Sequence, residues 1–467
     1  MSFPPNTAPL FKEITQQVAS LTTTLTTALA QPADKPPLDF STAPPDIITA
    51  RDDLLEAVRT LNELVLGPAD RLRNMATEYS DPATLRWIVH FKIASHVPSS
   101  GSIAYPALAA AAAVPVAHLR RILRYAMTNG IFTEPASDHV AHSPLSALLS
   151  APGSVLDTVG HAIQFSYPVS VRMVEMTERW EGDEAKDHTA FNVAFETPLP
   201  MFGWLKGAPD HAARFARLMT AINTSPAYDV KHLVGGYEWA GLGGGRVVDV
   251  GGSTGHSSVA LARAYPALKF EIQDLEYVVE QNKAGVPADV ADRITFRAHD
   301  FFTPQPSIAD VFLLRQILHD WPDEAAVRIL RGLVPALERN ADARVLVMDQ
   351  VVPEPGAMPR AKEKLARAVD LIVLSHFNGK QRDLADWKGV VRAADERLVI
   401  RRVLRPEGSV FALLEVGLED GGKAGEVSAG GEAVVPEVPA VDEAELAGTA
   451  DGDSEAALRA VVDKMDE

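Results

Sequence analysis

A glycine turn between a predicted strand and a predicted helix constrains this chain more than any other feature. Residues 246–250 form a mostly apolar run, which is typical of a buried parallel strand. Gly251, Gly252 and Gly255 follow it, and apolar residues then recur at helical spacing from 256 to 265. Because glycines let a ligand approach the backbone and a helix N-terminus offers free N–H groups, this unit predicts a dinucleotide or nucleoside site.

A carboxylate stands where such a site needs one. A second predicted strand, 268–272, runs into Asp274, about 20 residues beyond the glycines. An acid at the tip of the second strand is placed to bind ribose hydroxyls. Glycines and acid together indicate an adenosine-containing cofactor, and they leave both a nicotinamide cofactor and S-adenosylmethionine open.

Two further blocks carry a family resemblance. A third strand, 294–297, precedes Ala-His-Asp-Phe-Phe at 298–302, and a fourth, 311–314, precedes Arg-Gln-Ile-Leu-His-Asp-Trp at 315–321. With the glycine turn and Asp274, this series resembles the plant and fungal O-methyltransferases of the caffeic-acid type. Their motifs are Asp-Val-Gly-Gly-x-x-Gly, an acid after strand two, Gly-Asp-Met/Phe-Phe, and Lys/Arg-x-x-Leu-His-Asp-Trp. One position departs, because His299 replaces the usual glycine of the third block.

The resemblance implies an α/β fold, namely a Rossmann-like class I methyltransferase domain that binds S-adenosyl-L-methionine. It assigns Gly251 and Gly255 to the methionine part, Asp274 to the ribose, and Asp300 with Phe301 to the adenine. Arg315 would fix the nucleoside or the methionine end. The full set of implied cofactor residues is Asp249, Gly251, Gly252, Gly255, Asp274, Leu275, Asp300, Phe301 and Arg315. The simpler alternatives are a turn residue for Asp300 and a surface cation for Arg315.

The catalytic residues are also implied by the resemblance. His319 matches the histidine that takes the proton of the acceptor hydroxyl, although it could instead cap its loop. Asp349, at the end of the fifth strand, would orient the imidazole, as carboxylates do in triads. Plant members of the family commonly have Glu at this position. Gln381 replaces the acid of a Gly-Lys-Glu-Arg motif, and a neutral amide stabilises a positive charge less well. This departure keeps open a catalytically silent binding or regulatory protein of a secondary-metabolite pathway. A nicotinamide-dependent dehydrogenase would explain the glycine turn but not the His-Asp-Trp motif.

The N-terminal part is predicted to be helical. Apolar spacing predicts amphipathic helices at 11–30 and at 47–66, the second capped near Asp46, with a proline-rich linker at 31–45. In the resembled family such helices intertwine between two subunits, so a homodimer is implied; packing on the same chain is the alternative.

Residues 81–150 are predicted to form a winged helix. Its predicted elements are helices at 85–94, 105–113 and 115–129, a hairpin at 131–134 and 139–142, and a helix from 143.

Residues 151–240 are predicted to be mostly helical, and in the resembled family the matching region walls an aromatic-acceptor pocket. Each of its large side chains could equally be core. They are Met173, Met176, Phe191, Phe195, Met201, Phe202 and Trp204. His376, just before the Gly-Lys segment, lies on the expected acceptor side and could also be an ordinary core or surface histidine.

Charge and composition exclude several classes of function. The net charge is −18, of which −11 belongs to residues 417–467, so the rest of the chain carries −7. An acidic surface argues against nucleic acid as partner, because phosphate binding needs a basic one. The chain has no cysteine, no recognisable secretory signal and no long apolar run, which predicts a cytoplasmic protein without a membrane span. The aspartates do not cluster as a metal site.

Five segments are therefore predicted. They are N-terminal dimerisation helices at 1–80, a winged-helix scaffold at 81–150, a helical linker and substrate-pocket region at 151–240, a catalytic domain at 241–417 and a disordered acidic tail at 418–467, with a marginal helix at 454–464. The predicted function is methylation of a hydroxyl on a phenolic or polyketide-like small molecule. The acceptor and its regiochemistry stay open, as does methylation at nitrogen.

Overall fold

The computed structural model describes residues 7–30, 40, 43–151, 153–223, 225–419 and 428–429. Its first two helices are α1 (Thr7–Leu29) and α2 (Pro45–Met75). The second helix is longer than the 47–66 pattern predicts, because it continues past a kink at Gly67, where φ is 70°. The predicted cap at Asp46 is wrong: Pro44 is the N-cap, without a side-chain hydrogen bond, and Asp46 lies in the first turn.

A small helical unit with a hairpin comes next and packs around its own apolar core. Its elements are α3 (Ser80–His90), α4 (Ile93–His96), β1 (Ile103–Ala104), α5 (Tyr105–Ala111), α6 (Val116–Thr128), β2 (Thr133–Ala136), β3 (His139–Ala141) and α7 (Pro144–Leu148). The helix predicted at 85–94 is interrupted, because Lys92 has a φ of 50° and separates α3 from α4. The three helices and hairpin follow the predicted order, and the winged-helix assignment stays a prediction.

Short helices then lead to the sheet, as predicted. They are α8 (Ser154–His161), a π-helical turn (Ala162–Ser166), α9 (Tyr167–Ser170), α10 (Met173–Trp180), α11 (Ala190–Phe195), α12 (Met201–Lys206), α13 (Pro209–Asn223), α14 (Lys231–Val234) and a 3₁₀ turn (Trp239–Leu242).

The rest of the described chain alternates strands and helices. The strands are β4 (Arg246–Val250), β5 (Lys269–Asp274), β6 (Ile294–Ala298), β7 (Val311–Arg315), β8 (Arg344–Asp349), β9 (Val351–Val352), β10 (Arg382–Asp383), β11 (Leu398–Leu404), β12 (Ala412–Leu418) and β13 (Ser428–Ala429). The helices are α15 (His256–Ala264), α16 (Glu276–Asn282), a 3₁₀ turn (Leu318–Asp320), α17 (Asp323–Arg339), α18 (Arg360–Phe377) and α19 (Leu384–Ala394).

The main sheet has the order β13-β11-β12-β8-β7-β4-β5-β6. Its pairs are parallel except where β12 lies between β11 and β8, antiparallel to both. Helices α17 and α19 cover one face, and α14 and α15 cover the other. This doubly wound sheet confirms the predicted Rossmann-like fold class. The chain order reverses between β4 and β7, and ligands of such sheets bind at the carboxyl ends of the strands at that point.

Most of the predicted acidic tail, including the helix predicted at 454–464, lies outside the described residues. Among the described helices, none combines the length and apolar character that a membrane crossing requires.

Candidate active site

The glycine turn after β4 has a backbone that only glycine suits at two positions. Gly251 and Gly255 have φ values of 71° and 80°. A Cβ on Gly255 would lie 2.3 Å from Cδ1 of Ile272, and one on Gly252 would lie 2.7 Å from Cγ of Asp249. The turn therefore packs directly on β5, with the N-terminus of α15 beside it.

Asp274 lies at the end of β5, tied to this turn. Its Oδ2 accepts a hydrogen bond of 2.9 Å from the backbone N–H of Ser253, and its Oδ1 accepts one of 2.9 Å from that of Leu275. The side chain is buried. These bonds fix the carboxylate at the carboxyl edge of the sheet, the position that a ribose-binding acid occupies in this class of fold.

A cleft of about 640 Å³, counted with its open mouth, begins at this carboxylate. Its lining residues are Asp274, Leu275, His299, Asp300, Phe301, Phe302, Trp321 and Arg328. Phe301 and Phe302 meet Trp321 edge to face, with ring centroids 5.8 and 4.9 Å apart. Asp300 Oδ1 accepts a hydrogen bond of 2.8 Å from the N–H of Phe302, so the acid shapes this wall. An aromatic slot that ends in a carboxylate suits a flat base joined to a ribose.

His299, which departs from the family motif, is part of this cleft. Burial lowers the pKa of its imidazole, so the ring is neutral near pH 7. The cleft therefore gains no positive charge from this replacement of glycine.

Arg315, at the end of β7, is partly buried and is not a surface cation. Its Nη2 donates to the carbonyl of Tyr228 at 3.1 Å, while Nε is buried without a hydrogen-bond partner. Burial lowers the pKa of this guanidinium, and the carboxylates of Asp249 and Asp229 oppose that effect. Because an unpaired buried donor is costly, the site fits a ligand that brings an acceptor such as a carboxylate.

Asp249, on β4, is also buried. Its carboxylate accepts a 2.7 Å hydrogen bond from the hydroxyl of Ser258, which ties α15 to β4.

The predicted catalytic pair is brought together at the ends of β7 and β8. His319 lies on the 3₁₀ turn after β7, with Nδ1 2.9 Å from Oδ1 of Asp349. The charge of Asp349 is the larger of its two favourable effects on this ring, and a side-chain hydrogen bond adds to it. The backbone N–H of His319 donates to Asp349 Oδ2 at 3.2 Å. On the other side of the ring, Nε2 is 3.2 Å from Oδ1 of Asp320.

These carboxylates decide the protonation of the histidine. Burial alone lowers the pKa of His319, but the charges of Asp349 and Asp320 outweigh it and raise that pKa to about 9. Without an acceptor, the ring is therefore protonated near pH 7 and paired with both acids.

A buried arginine holds the turn that carries this histidine. The Arg382 guanidinium donates to the carbonyls of Leu318 and Trp321 at 2.7 and 2.8 Å, one on each side of His319-Asp320, and to Asp323 at 2.9 Å. The Arg382 side chain is fully buried. Arg382 occupies the arginine position of the Gly-Lys-Glu-Arg motif, but only the folded chain shows which carbonyls it reaches.

The segment before Arg382 also contacts the turn. The N–H of Lys380 donates to the carbonyl of His319 at 3.0 Å, and a Cβ on Gly379 would lie 2.5 Å from that same oxygen. Gln381 is buried, and its side-chain Oε1 has no hydrogen-bond partner. The backbone N–H of Gln381 donates to Asp370 Oδ1 at 2.9 Å, and the assignment of Gln381 as a catalytic residue stays a prediction.

Lys186 is a site residue that sequence reasoning missed. Its Nζ lies 3.0 Å from the ring centroid of Trp321, with no hydrogen-bond partner. Burial lowers its pKa to about 7, and the charge of Asp320 opposes this shift. The loop that carries Lys186 is held by Asn378, whose Nδ2 donates to the carbonyls of Asp183, Ala185 and His188. No local motif marks this lysine.

The aromatic residues predicted to wall an acceptor pocket form one cluster. Phe165 is at its centre, with ring centroids 5.7 Å from Phe191, 5.1 Å from Phe195 and 6.3 Å from Trp204. Phe202 stacks on Phe377, the last residue of α18, at 5.3 Å. The predicted methionines Met173, Met176 and Met201 pack on the same cluster.

The chain is similar to several known proteins. A family model described as an O-methyltransferase domain matches residues 179–395. The O-methyltransferase pgmB of Aspergillus terreus is 42% identical over 385 residues, which cover 81% of this chain and 87% of that protein. The O-methyltransferase aurJ of Gibberella zeae is 41% identical over 389 residues, which cover 81% and 88%. The crystal structure of OxaC in complex with SAH and oxaline has a TM-score of 0.65 at 21% identity, and covers 88% of this chain and 100% of that one.

The sheet and its cleft define a class I methyltransferase fold that uses S-adenosylmethionine. With pgmB and aurJ at this identity over most of both chains, the chain belongs to the O-methyltransferase family. It is an S-adenosylmethionine-dependent O-methyltransferase, which confirms the predicted family and cofactor. The dehydrogenase alternative is thereby set aside.

Proposed function

We propose that this enzyme methylates a hydroxyl of an aromatic small molecule, with His319 as the general base. The observation that carries the proposal is the position of His319. Its ring lies at the switch point of the sheet, with Asp349 at Nδ1, and the same turn ends in Trp321 of the cofactor cleft.

The chemistry follows from this arrangement. S-adenosylmethionine supplies a methyl group bonded to a positively charged sulfur. The acceptor hydroxyl would take the place of Asp320 at Nε2 of His319 and give its proton to that nitrogen. Its oxygen would bond to the methyl carbon as the carbon–sulfur bond breaks, and S-adenosylhomocysteine would leave. Asp349 holds the ring and stabilises the imidazolium that results. A phenol has a pKa near 10, so a base that removes its proton during the attack contributes about 10²–10⁴-fold.

The aromatic cluster supports a flat acceptor. Its rings lie beside the end of α18, which leads within two residues to Gly379 and the carbonyl of His319. Phenylalanine and tryptophan rings favour stacked and edge-to-face contacts with other rings. The test is methyl transfer from labelled S-adenosylmethionine to a panel of phenols and naphthols, with the matching methyl ethers as controls. Labelling of phenols alone supports the proposal, and labelling only of amines or aliphatic alcohols contradicts it.

The pH dependence of the reaction should report on His319. Because only the neutral ring accepts a proton, kcat/KM should rise with pH below about 9, the pKa of this histidine, and then level off. Asp320→Asn removes a charge that raises this pKa, so the midpoint should move to lower pH. The measurement is a kcat/KM profile from pH 6 to 10. Glu324→Gln, a charge removal at an exposed site nearby, should leave the midpoint in place. An unshifted midpoint in Asp320→Asn would show that another group controls the profile.

We also propose that the enzyme is a homodimer that pairs through its N-terminal helices. Large apolar side chains are exposed on these two helices, which a chain on its own would leave in water. They are Leu10, Phe11, Leu29, Leu55, Val58, Val65, Leu72 and Met75. Val65 and Leu72 are 59% and 67% exposed and seven residues apart.

A charge at both positions should therefore separate the subunits. Val65→Glu with Leu72→Glu should halve the mass measured by light scattering, because two buried carboxylates oppose association. Asn74→Glu, an exposed site on another side of α2, should leave the mass unchanged. A monomeric mass for the wild-type protein would contradict the proposal.

A further inference from the structure

His299 brings a side chain into the cofactor cleft at a position where the family motif has none. It lines the cleft together with Asp274 and Asp300, and its backbone N–H donates to the carbonyl of Asp274 at 2.9 Å. The residue is therefore held beside the acid at the end of β5. Because the motif has glycine here, the fold itself does not need a side chain at this position.

The backbone of His299 accepts histidine and glycine equally. A positive φ angle would favour glycine, and His299 is not among the residues that have one. Replacing one of these residues by the other therefore changes what faces the cleft and leaves the course of the chain as it is.

The imidazole of His299 has hydrogen-bonding groups that the protein leaves unused. Burial holds the pKa of this half-buried ring below its usual value, so near pH 7 the ring is neutral, with one N–H donor and one lone-pair acceptor. Within the part of the chain that the structure describes, neither ring nitrogen has a hydrogen-bond partner. Both groups are thus available to a ligand that fills the cleft.

A ribose hydroxyl needs a donor as well as the carboxylate of Asp274. A carboxylate only accepts, whereas a hydroxyl gives one hydrogen bond and also accepts. Once the ligand has displaced water, a hydroxyl oxygen without a donor costs affinity. The ring N–H beside Asp274 can supply this donor. Arg328, another donor of the lining, lies with its guanidinium 4.7 Å from the centre of the Phe302 ring and so belongs to the aromatic wall.

We infer that the ring N–H of His299 donates a hydrogen bond to a ribose hydroxyl of the cofactor, the same hydroxyl that gives its proton to Asp274. His299 is then a cofactor-binding residue that the family motif does not provide, and it makes the cleft selective for an intact ribose. The inference goes beyond the proposed function, because it concerns the methyl donor alone and does not depend on the acceptor or the base.

Calorimetric binding of S-adenosylhomocysteine and of its 2′-deoxy and 3′-deoxy analogues tests this contact without turnover. His299→Gly should bind S-adenosylhomocysteine about tenfold more weakly than the wild type does, as the loss of one buried hydrogen bond allows. One of the two analogues lacks the hydroxyl that His299 contacts. For that analogue the same substitution should change the affinity by less than about twofold, because the interaction is already absent.

Two further variants separate the hydrogen bond from ring stacking and bulk. His299→Phe keeps a ring without a donor, so it should lose affinity as His299→Gly does. His299→Gln has an amide N–H and should keep most of the affinity. Melting temperatures of the ligand-free proteins are the folding control.

Unchanged affinity for S-adenosylhomocysteine in both His299→Gly and His299→Phe overturns the inference. An equal loss for S-adenosylhomocysteine and for both analogues also overturns it, because His299 would then act through its shape and not through a hydroxyl. His319→Ala should show the same preference for the intact ribose as the wild type. A failure of the proposed base is therefore distinguishable from a failure of this contact.

Discussion

His319→Ala should lower kcat by about 10²–10⁴, the contribution of a positioned general base. Affinity for S-adenosylmethionine should change little, because the cleft is lined by Trp321 and not by His319. The measurement is single-turnover methyl transfer from labelled S-adenosylmethionine, with calorimetry for cofactor binding. His118→Ala, which removes an exposed histidine on α6, is the matched control and should keep full activity.

The size of the loss in kcat in His319→Ala also tests whether another group is the general base. A loss of less than tenfold would move the base role to another group, and Lys186 is next to the turn with a pKa near 7. His319→Ala combined with Lys186→Met would then abolish the residual rate. The wild-type protein could also bind the cofactor and yet methylate no acceptor in the panel. That result would favour the alternative of a catalytically silent protein, which the replacement of an acid by Gln381 left open.

Arg382→Met should lower the free energy of unfolding by roughly 3–5 kcal/mol, because it leaves two buried carbonyls without their charged donor. It should also lower kcat strongly, since those carbonyls flank His319-Asp320. Arg382→Lys should not rescue either property, because a single ammonium cannot reproduce the planar fork that reaches Leu318, Trp321 and Asp323.

Urea denaturation and the methyl-transfer assay measure the two effects in parallel. Arg405→Met, at an exposed site, is the control and should change stability by less than about 0.5 kcal/mol. A stable Arg382→Met protein with full activity would show that the turn holds its shape without the guanidinium.

The sequence predicted the parts of this enzyme that depend on local pattern. The parallel strands are buried on both faces, so their sequences are apolar runs that can be recognised. The turn at Gly255 needs a backbone conformation that only glycine adopts easily. The pairing of His319 with Asp349 was implied by the family resemblance, and the structure places both at the edge where the adjacent parallel strands β7 and β8 end. Family resemblance supplied their roles, which sequence spacing alone does not give.

Features that depend on tertiary contacts were not predictable. The raised pKa of His319 depends on two carboxylates whose distances arise only in the folded chain. The unpaired nitrogen of His376 depends on where α18 packs, and Lys186 reaches Trp321 from a loop more than a hundred residues away. The helix start at Pro45 was misplaced because Asp46 is a common capping residue that here lies in the first turn.

The turn His319-Asp320-Trp321 has a consequence for how the two substrates meet. In the proposed mechanism His319 faces the acceptor, and Trp321 is part of the cleft that would hold the methyl donor. Their Cα atoms are separated by only two virtual bonds of about 3.8 Å each. If the two substrates bind at these residues, the short segment of chain between them limits how far apart the reacting groups can lie. Sequence drift in the surrounding helices can then change which molecule is methylated without changing the length over which the methyl group travels.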